Sequence, residues 1–283
     1  MLLERFLWAK AAEVAALRRA AERGRMPAPH PGPRPGFTAA LHGSRRGGLP
    51  AVIAEYKRAS PSLGVICEAV PVEEAARQYA AAGAAALSIL TEERFFHGRL
   101  EFLARAAEAS LYAGPRPPLL RKDFIFDPLQ VQATAATPAS ALLLIARLTP
   151  DARLLRQLRE AAEAYGMQAV VEVFDADDLR LARESGARVI QVNARDLESL
   201  KVDRAACLAL ARTFPPQEGE TWVAASGMNR PEHLRAAAEA GFHAVLAGSA
   251  LMEGGRPGPA LAALLGCDPS RVRNCSARTG EGI

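Results

Sequence analysis

The feature that most constrains this chain is a rhythm that starts after Pro50. A short run rich in Val, Ile or Leu is followed by a stretch with helical spacing, and the pair repeats. The runs are AVIAEYK (51–57), AALSILT (85–91), PLLRKD (118–123), ALLLIA (141–146), AVVEV (169–173), VIQVN (189–193), TWVAAS (221–226) and AVLAGS (244–249). Helical patterns begin at Val72, Leu100, Leu129, Asp151, Asp175, Asp203, Pro231 and Pro259. Several of them close on Gly83, Gly166, Gly186 or Gly241, the residue type that ends a helix in the left-handed conformation. Nearly unbroken apolar runs mark strands buried on both faces, and parallel strands of that kind need crossover helices. Eight such units close into a (β/α)8 barrel. An open doubly wound sheet would place a glycine-rich turn after its first strand, and none follows Lys57.

The 283 residues fit one barrel domain spanning 1–283, with residues 1–49 as an N-terminal helix and connector and 267–283 as a tail without an assigned role. From Leu2 to about Arg23, Phe6, Leu7, Ala11, Val14 and Leu17 recur at three- and four-residue steps, which predicts an amphipathic helix. The segment PAPHPGPRPG (27–36) has too many prolines for a helix or a central strand and reads as an extended connector.

Composition enters as exclusion. Hydrophobic residues at 49% and charged residues at 23% rule out collagen and wholesale disorder. The net charge of +4 is interleaved along the chain and only 6% of residues are aromatic, which argues against nucleic acid as a partner. Glu4, Arg5, Lys10 and Glu13 interrupt the N-terminal apolar run, so no signal peptide is expected, and no run approaches the roughly 18 apolar residues of a membrane span. A cytoplasmic protein with no membrane partner is the expectation. Cys67, Cys207, Cys267 and Cys275 form no C-x-x-C pair, and His30, His42, His97, His233 and His243 have no ligand spacing, so no metal site is expected.

In a barrel the chemistry gathers where strands end. The runs end in Glu55 and Lys57; Thr91 and Glu92; Lys122 and Asp123; Glu172; Asn193 and Arg195; Ser226 and Gly227; and Gly248 and Ser249. Seven of the eight place a charged, amide or hydroxyl group where a structural strand would keep Val or Ile. Glu55 and Lys57, two residues apart, share one side of their strand, and an inward lysine needs Glu55, Glu172 or an anionic ligand to compensate it. Small residues in SGM (226–228) and GSALM (248–252) let the backbone approach closely and expose N–H groups, the makings of a phosphate grip at the last two strands. Trp8, Phe95, Phe96 and Phe124 are candidates for an aromatic pocket as well as for core.

Located in this way, the segments VIAEYKRASPS (52–62), SILTEERFFHG (88–98), LLRKDFIFDPLQV (119–131), VVEVFD (170–175), VNARDLESLKVD (192–203), ASGMNRPE (225–232) and AVLAGSALM (244–252) resemble the indole-3-glycerol phosphate synthase family, barrel enzymes of tryptophan biosynthesis. E-x-K-x-x-S-P-S and R-K-D-F occurring in this order are highly specific. The resemblance implies closure of the pyrrole ring of 1-(2-carboxyphenylamino)-1-deoxyribulose 5-phosphate, with loss of carbon dioxide and water and without a cofactor. It implies Lys122 as general acid, Glu172 in the dehydration, Glu55 in the same network and Lys57 near the substrate carboxylate or phosphate. Asn193, Arg195 and Phe124 would contact the substrate, with Ser60, Ser226, Gly227, Gly248 and Ser249 around the phosphate. Other enzymes of the tryptophan pathway would be the protein partners. One departure stands out. The family reads A-E-S-G where this chain has Ala224, Ala225, Ser226 and Gly227, so its active-site glutamate is replaced by Ala225. That change raises an alternative: a barrel that binds phosphate, is catalytically impaired, and serves as a ligand-binding or partner subunit.

Overall fold

The structure, a computed structural model, describes residues 2–45 and 47–268. Eight parallel strands close into a barrel: β1 (Ala51–Tyr56), β2 (Ala86–Leu90), β3 (Leu119–Lys122), β4 (Ala141–Ile145), β5 (Gln168–Val173), β6 (Val189–Asn193), β7 (Thr221–Ala225) and β8 (Ala244–Ala247). They neighbour one another in chain order, and β8 returns to β1 with Ala51 opposite Ala244 and Ala54 opposite Ala247. This is the barrel that the periodicity predicts.

Strand alternation separates two cores. Outward residues such as Val52, Ala54, Tyr56, Leu87, Ile89, Val171, Ile190, Trp222 and Val245 pack beneath the helical shell. Inward residues such as Ile53, Leu120, Leu143, Val170, Val189, Val223 and Leu246 fill the barrel itself. Because successive side chains point to opposite faces, the inward set fixes which strand-end residues reach the mouth. Glu55 continues Ala51 and Ile53, Lys122 continues Leu120, and Glu172 continues Val170.

The helices are α1 (Leu2–Glu22), α2 (Phe37–Gly43), α3 (Val72–Ala82), α4 (Phe102–Ala106), α5 (Pro128–Ala135), α6 (Ala152–Ala164), α7 (Ala176–Glu184), α8 (Arg204–Thr213), α9 (Pro231–Glu239), α10 (Ser249–Met252) and α11 (Pro257–Leu264), and all but α2 and α10 start within a few residues of an expected pattern. Side-chain caps explain several starts. Asp151, Asp175 and Asp203 each accept a backbone N–H from the first turn of α6, α7 and α8. Asp127 and Gln130 form a reciprocal capping box on α5, with Pro128 at its first position.

Helix α2 was not anticipated, because the pattern between Gly36 and Leu49 is too short to stand out. Its Phe37 and Leu41 are buried in the inner core. Thr38 N–H donates to Gln168 Oε1 at the start of β5 (3.0 Å), and the His42 ring lies 3.0 Å from Thr221 Oγ1 at the start of β7. The N-terminal end of the barrel is thereby plugged.

Helix α1 sits at the opposite end, held by a buried ionic cluster. Lys10 Nζ reaches Asp123 Oδ1 at 3.0 Å and also contacts Glu13. Arg121, 1% exposed, donates to Asp123 Oδ2 at 2.8 Å, Thr134 Oγ1 at 2.8 Å and Thr91 Oγ1 at 3.1 Å, and pairs with Glu13 at 3.2 Å. Four charges share one another's compensation, the condition under which ion burial is tolerable. The proline-rich connector is extended as expected, and Arg34 ties it down by donating to the carbonyls of Ala135, the last residue of α5, and of Thr137 just after it. Of the 267–283 tail, only Cys267 and Asp268 fall within the described residues; Cys275 and the remainder lie outside them.

Candidate active site

At the C-terminal end of the barrel a depression is lined by Glu55, Lys57, Lys122, Glu172, Asn193 and Arg195, with Phe124, Phe96, Ile145 and Leu246 as its apolar walls. Six polar side chains from four strands and their loops, spread over 141 residues of sequence, meet in one depression. Strand alternation brings them there, since each continues an inward set.

Lys57 Nζ lies 3.0 Å from Glu55 Oε1, and Ser88 Oγ donates to Glu55 Oε2 at 3.1 Å. Burial alone would push the Glu55 carboxyl up. The ammonium groups of Lys57 and Lys122, with the Ser88 hydroxyl, outweigh it and hold the carboxyl below the ordinary carboxylate range. Across the mouth, Lys122 Nζ stands 3.7 Å from Glu172 Oε2. Glu172 is buried at 1% exposure and also accepts a hydrogen bond from Gln191 Nε2. Two lysine–carboxylate pairs therefore face one space, each with one partner sunk in the barrel and one reaching into the opening.

Asn193 and Arg195 belong to a loop that folds back on itself. Asn193 Oδ1 accepts the Arg195 backbone N–H at 2.9 Å. The Arg195 guanidinium donates to Leu200 O at 2.7 Å and to Ser62 Oγ at 3.3 Å, bridging the loops after β6 and β1. Phe124 is one wall, stacked on Phe6 of α1 with centroids 4.1 Å apart and 14° between the planes; Phe95 meets Phe6 edge-on. Phe6 and Phe96 thus join Phe124 at the mouth, whereas Trp8 is 62% exposed and stacks under the Arg94 guanidinium outside it.

A second depression continues the first and shares Glu55, Lys57, Arg195, Ser226, Leu246 and Ser249 with it; Gly227, Gly248, Val202, Arg204 and Glu253 are among its other walls. Ser226 and Gly227 are both left-handed, with φ of 68° and 72°. For Ser226 that conformation is strained, as residues held at ligand sites often are. A side chain at Gly227 is excluded by space as well, because a Cβ there would lie 2.7 Å from Val202 Cγ1. The result is a turn of bare backbone beside hydroxyls and cations, a setting that suits an anion.

The expected site residues are all brought together. Lys122, Glu172, Glu55, Lys57, Asn193, Arg195 and Phe124 line the first depression, and Ser226, Gly227, Gly248 and Ser249 the second. Ser60 lines the first depression, away from Gly227 and Gly248. The short ribbon of Ala59–Ser60 against Gly64–Val65 holds its hydroxyl near Ser62 Oγ and the Leu63 N–H.

Three other polar strand-end residues stay out of the mouth. Thr91 donates to Asp123 at 2.6 Å within the cluster beneath α1. Buried Glu92 accepts the N–H groups of Arg94, Phe95 and Phe96 and so shapes the loop that carries the aromatic wall. Strand-end reasoning missed Phe6, Ser62, Leu197, Leu200 and Arg204, because they come from α1, from loop interiors and from the first position of α8. Gln191 was visible as the polar residue in VIQVN, one alternation below Asn193. Among the described residues, no group of three or more His, Cys, Asp or Glu side chains could hold a metal ion, and no helix is long and apolar enough to cross a membrane.

Comparison with known proteins agrees with this geometry. The relative from Carboxydothermus hydrogenoformans called indole-3-glycerol phosphate synthase is 41% identical over 219 residues, covering 77% of this chain and 80% of that one. One of the same name from Koribacter versatilis is 41% identical and covers 82% and 85%. Among solved structures, a crystal structure of 3-hexulose-6-phosphate synthase superposes with a TM-score of 0.60 at 15% identity, covering 77% of this chain and 99% of that one, a likeness of fold alone. The model of the indole-3-glycerol phosphate synthase family matches residues 3–263, and the chain belongs to that family.

Proposed function

We propose that this protein closes the indole ring of 1-(2-carboxyphenylamino)-1-deoxyribulose 5-phosphate, a carboxy-lyase reaction. The observation that carries the reading is the pair of facing carboxylate–lysine couples, Glu55 with Lys57 and Lys122 with Glu172, beside a turn shaped for an anion.

In this reading the phosphate rests against Ser226, Gly227, Gly248 and Ser249, near Lys57. The anthranilate ring lies across the cavity among Phe124, Ile145 and Leu246, with Ser60, Asn193 and Arg195 at its polar edges. Gripping both ends folds the substrate so that the ring carbon bearing the carboxylate meets the ketone carbon. Such positioning is worth several powers of ten in rate.

As the new carbon–carbon bond forms, the carbonyl electron pair takes a proton from Lys122 and becomes a hydroxyl. The carboxylate departs as carbon dioxide, and its bonding pair restores the aromatic ring. The hydroxyl then leaves as water, with one proton added at the oxygen and one removed from the neighbouring methylene carbon, the acid–base work assigned to Glu172. Glu55 holds Lys57 in place beside the substrate. Each step is proton transfer and positioning by the side chains of this chain.

The test is appearance of indole fluorescence when purified protein meets the anilino substrate. Lys122→Ala should lower turnover about 10²- to 10⁴-fold, the range a positioned acid contributes, while retaining product binding. Loss of binding together with turnover would overturn the role given to Lys122. A chain that turns over only after Ala225→Glu would overturn the reading of the native protein as an active enzyme.

A further inference from the structure

We propose that Gln191 is a positioning residue for this reaction, its side-chain amide fixing the Glu172 carboxylate where it faces Lys122; the inference rests on the function just proposed. Gln191 lies in the middle of β6, inward, between Val189 and Asn193, and is fully buried. In register it stands between Glu172 on β5 and Val223 on β7. Val189, Val223, Leu143 and Leu246 belong to the same inner core, where the other buried polar groups, Glu55, Ser88 and Glu172, each have a hydrogen-bond or ion-pair partner, and an aliphatic side chain would suit the position of Gln191.

The amide departs from that layer for one visible return. Its Nε2 donates to Glu172 Oε2, while its own carbonyl Oε1 is buried without a donor. The opposite orientation would set a carbonyl oxygen against a carboxylate, so the assignment of the amide follows from its partner. A buried acceptor left unpaired costs stability, and a buried polar group held at such a cost calls for an explanation.

Glu172 supplies it. Among the described residues its carboxylate has two polar partners, Lys122 and Gln191. The Lys122 contact, at 3.7 Å, is longer than a hydrogen bond, so Gln191 alone pins the carboxylate in rotation. Neighbouring β7 offers no substitute at this end, because the residue paired with Asn193 is Ala225. Gln191 touches no part of the substrate cavity and acts only through Glu172.

The experiment combines Gln191→Met, which keeps length and removes the donor, with Gln191→Asn, which keeps the amide one carbon short of its target. Both should lower kcat about tenfold or more, the scale for a hydrogen bond to a charged group, with KM changed by less than about threefold. In a Glu172→Gln background the same changes should cost less than about twofold, because the residue they act through is already disabled. Equal losses in both backgrounds, or full activity in Gln191→Asn, would overturn the inference. Should the unsubstituted protein show no turnover, the proposed activity fails, and a crystal structure of Gln191→Met decides this point separately. A Glu172 carboxylate turned away from Lys122 is expected there, and an unmoved one would overturn the positioning role.

Discussion

Gly248 passes so close to Glu55 that a Cβ on it would sit 2.5 Å from the Glu55 Oε1 atom and 3.0 Å from its Cβ. The last strand thus leaves the barrel against the back of the first strand's carboxylate, and the bare backbone of Gly248 lets the start of α10 and the Glu55–Lys57 pair occupy adjoining space.

Gly248→Ala should therefore push Glu55 out of line and separate it from Lys57. We expect a destabilisation of about 1–3 kcal/mol, as for other overpacked sites, readable as a shift in the urea midpoint. Turnover should fall further than stability accounts for, with KM for the phosphorylated substrate raised. Unchanged kinetics would show that the pair tolerates displacement.

The cluster beneath α1 predicts a different kind of loss. Burial would raise the Asp123 carboxyl, but Arg121 and Lys10 outweigh it and hold the group below its ordinary range. Asp123→Ala leaves the fully buried Arg121 guanidinium without its nearest carboxylate, a change that costs about 3–5 kcal/mol in comparable buried pairs. Equilibrium denaturation measures it. Lys10→Met, which removes a charge at the edge of the same cluster, should cost less.

Phe6 carries α1 across the mouth by stacking on Phe124. Phe6→Ala should raise KM more than it lowers kcat, because it removes a wall without touching Lys122 or Glu172. Steady-state kinetics on the two variants, Phe6→Ala and Phe6→Leu, separate lost volume from lost aromatic contact. An unaltered KM in both would mean that the substrate does not reach this wall.

At the closed end of the barrel, Trp222 N–H donates to His243 Nδ1 at 3.0 Å, which requires that nitrogen to be unprotonated. Burial lowers the His243 imidazole, and His42 and Arg45 add to the effect. The unfolded chain therefore binds a proton at higher pH than the native one. The stability from this group is complete above 6.5 and is lost as pH falls from there through the lower native value. Urea midpoints measured between about pH 8 and about pH 5 should drop, and less steeply in His243→Gln. His30 and His233, also lowered by burial, act in the same direction, so the substitution reduces the slope without abolishing it.

The barrel is legible in the order of residues, because eight apolar runs alternating with capped helices admit few other closures, and so are the strand-end residues, because alternation makes Glu55, Lys122, Glu172 and Asn193 the continuation of an inward-facing set toward the mouth. Packing between distant segments sets which polar strand ends serve the mouth. Arg121 and Lys122 are adjacent, yet one side chain turns out to hold α1 and the next turns in to face Glu172. The roles of Arg121 and Asp123 depend on α1, whose Lys10 and Glu13 lie about a hundred residues earlier and carry no local sign of their partners. The same holds for Phe6 at the mouth and Phe37 at the base. Periodicity reports a residue's face on its own element, whereas the occupant of that face is set by long-range packing.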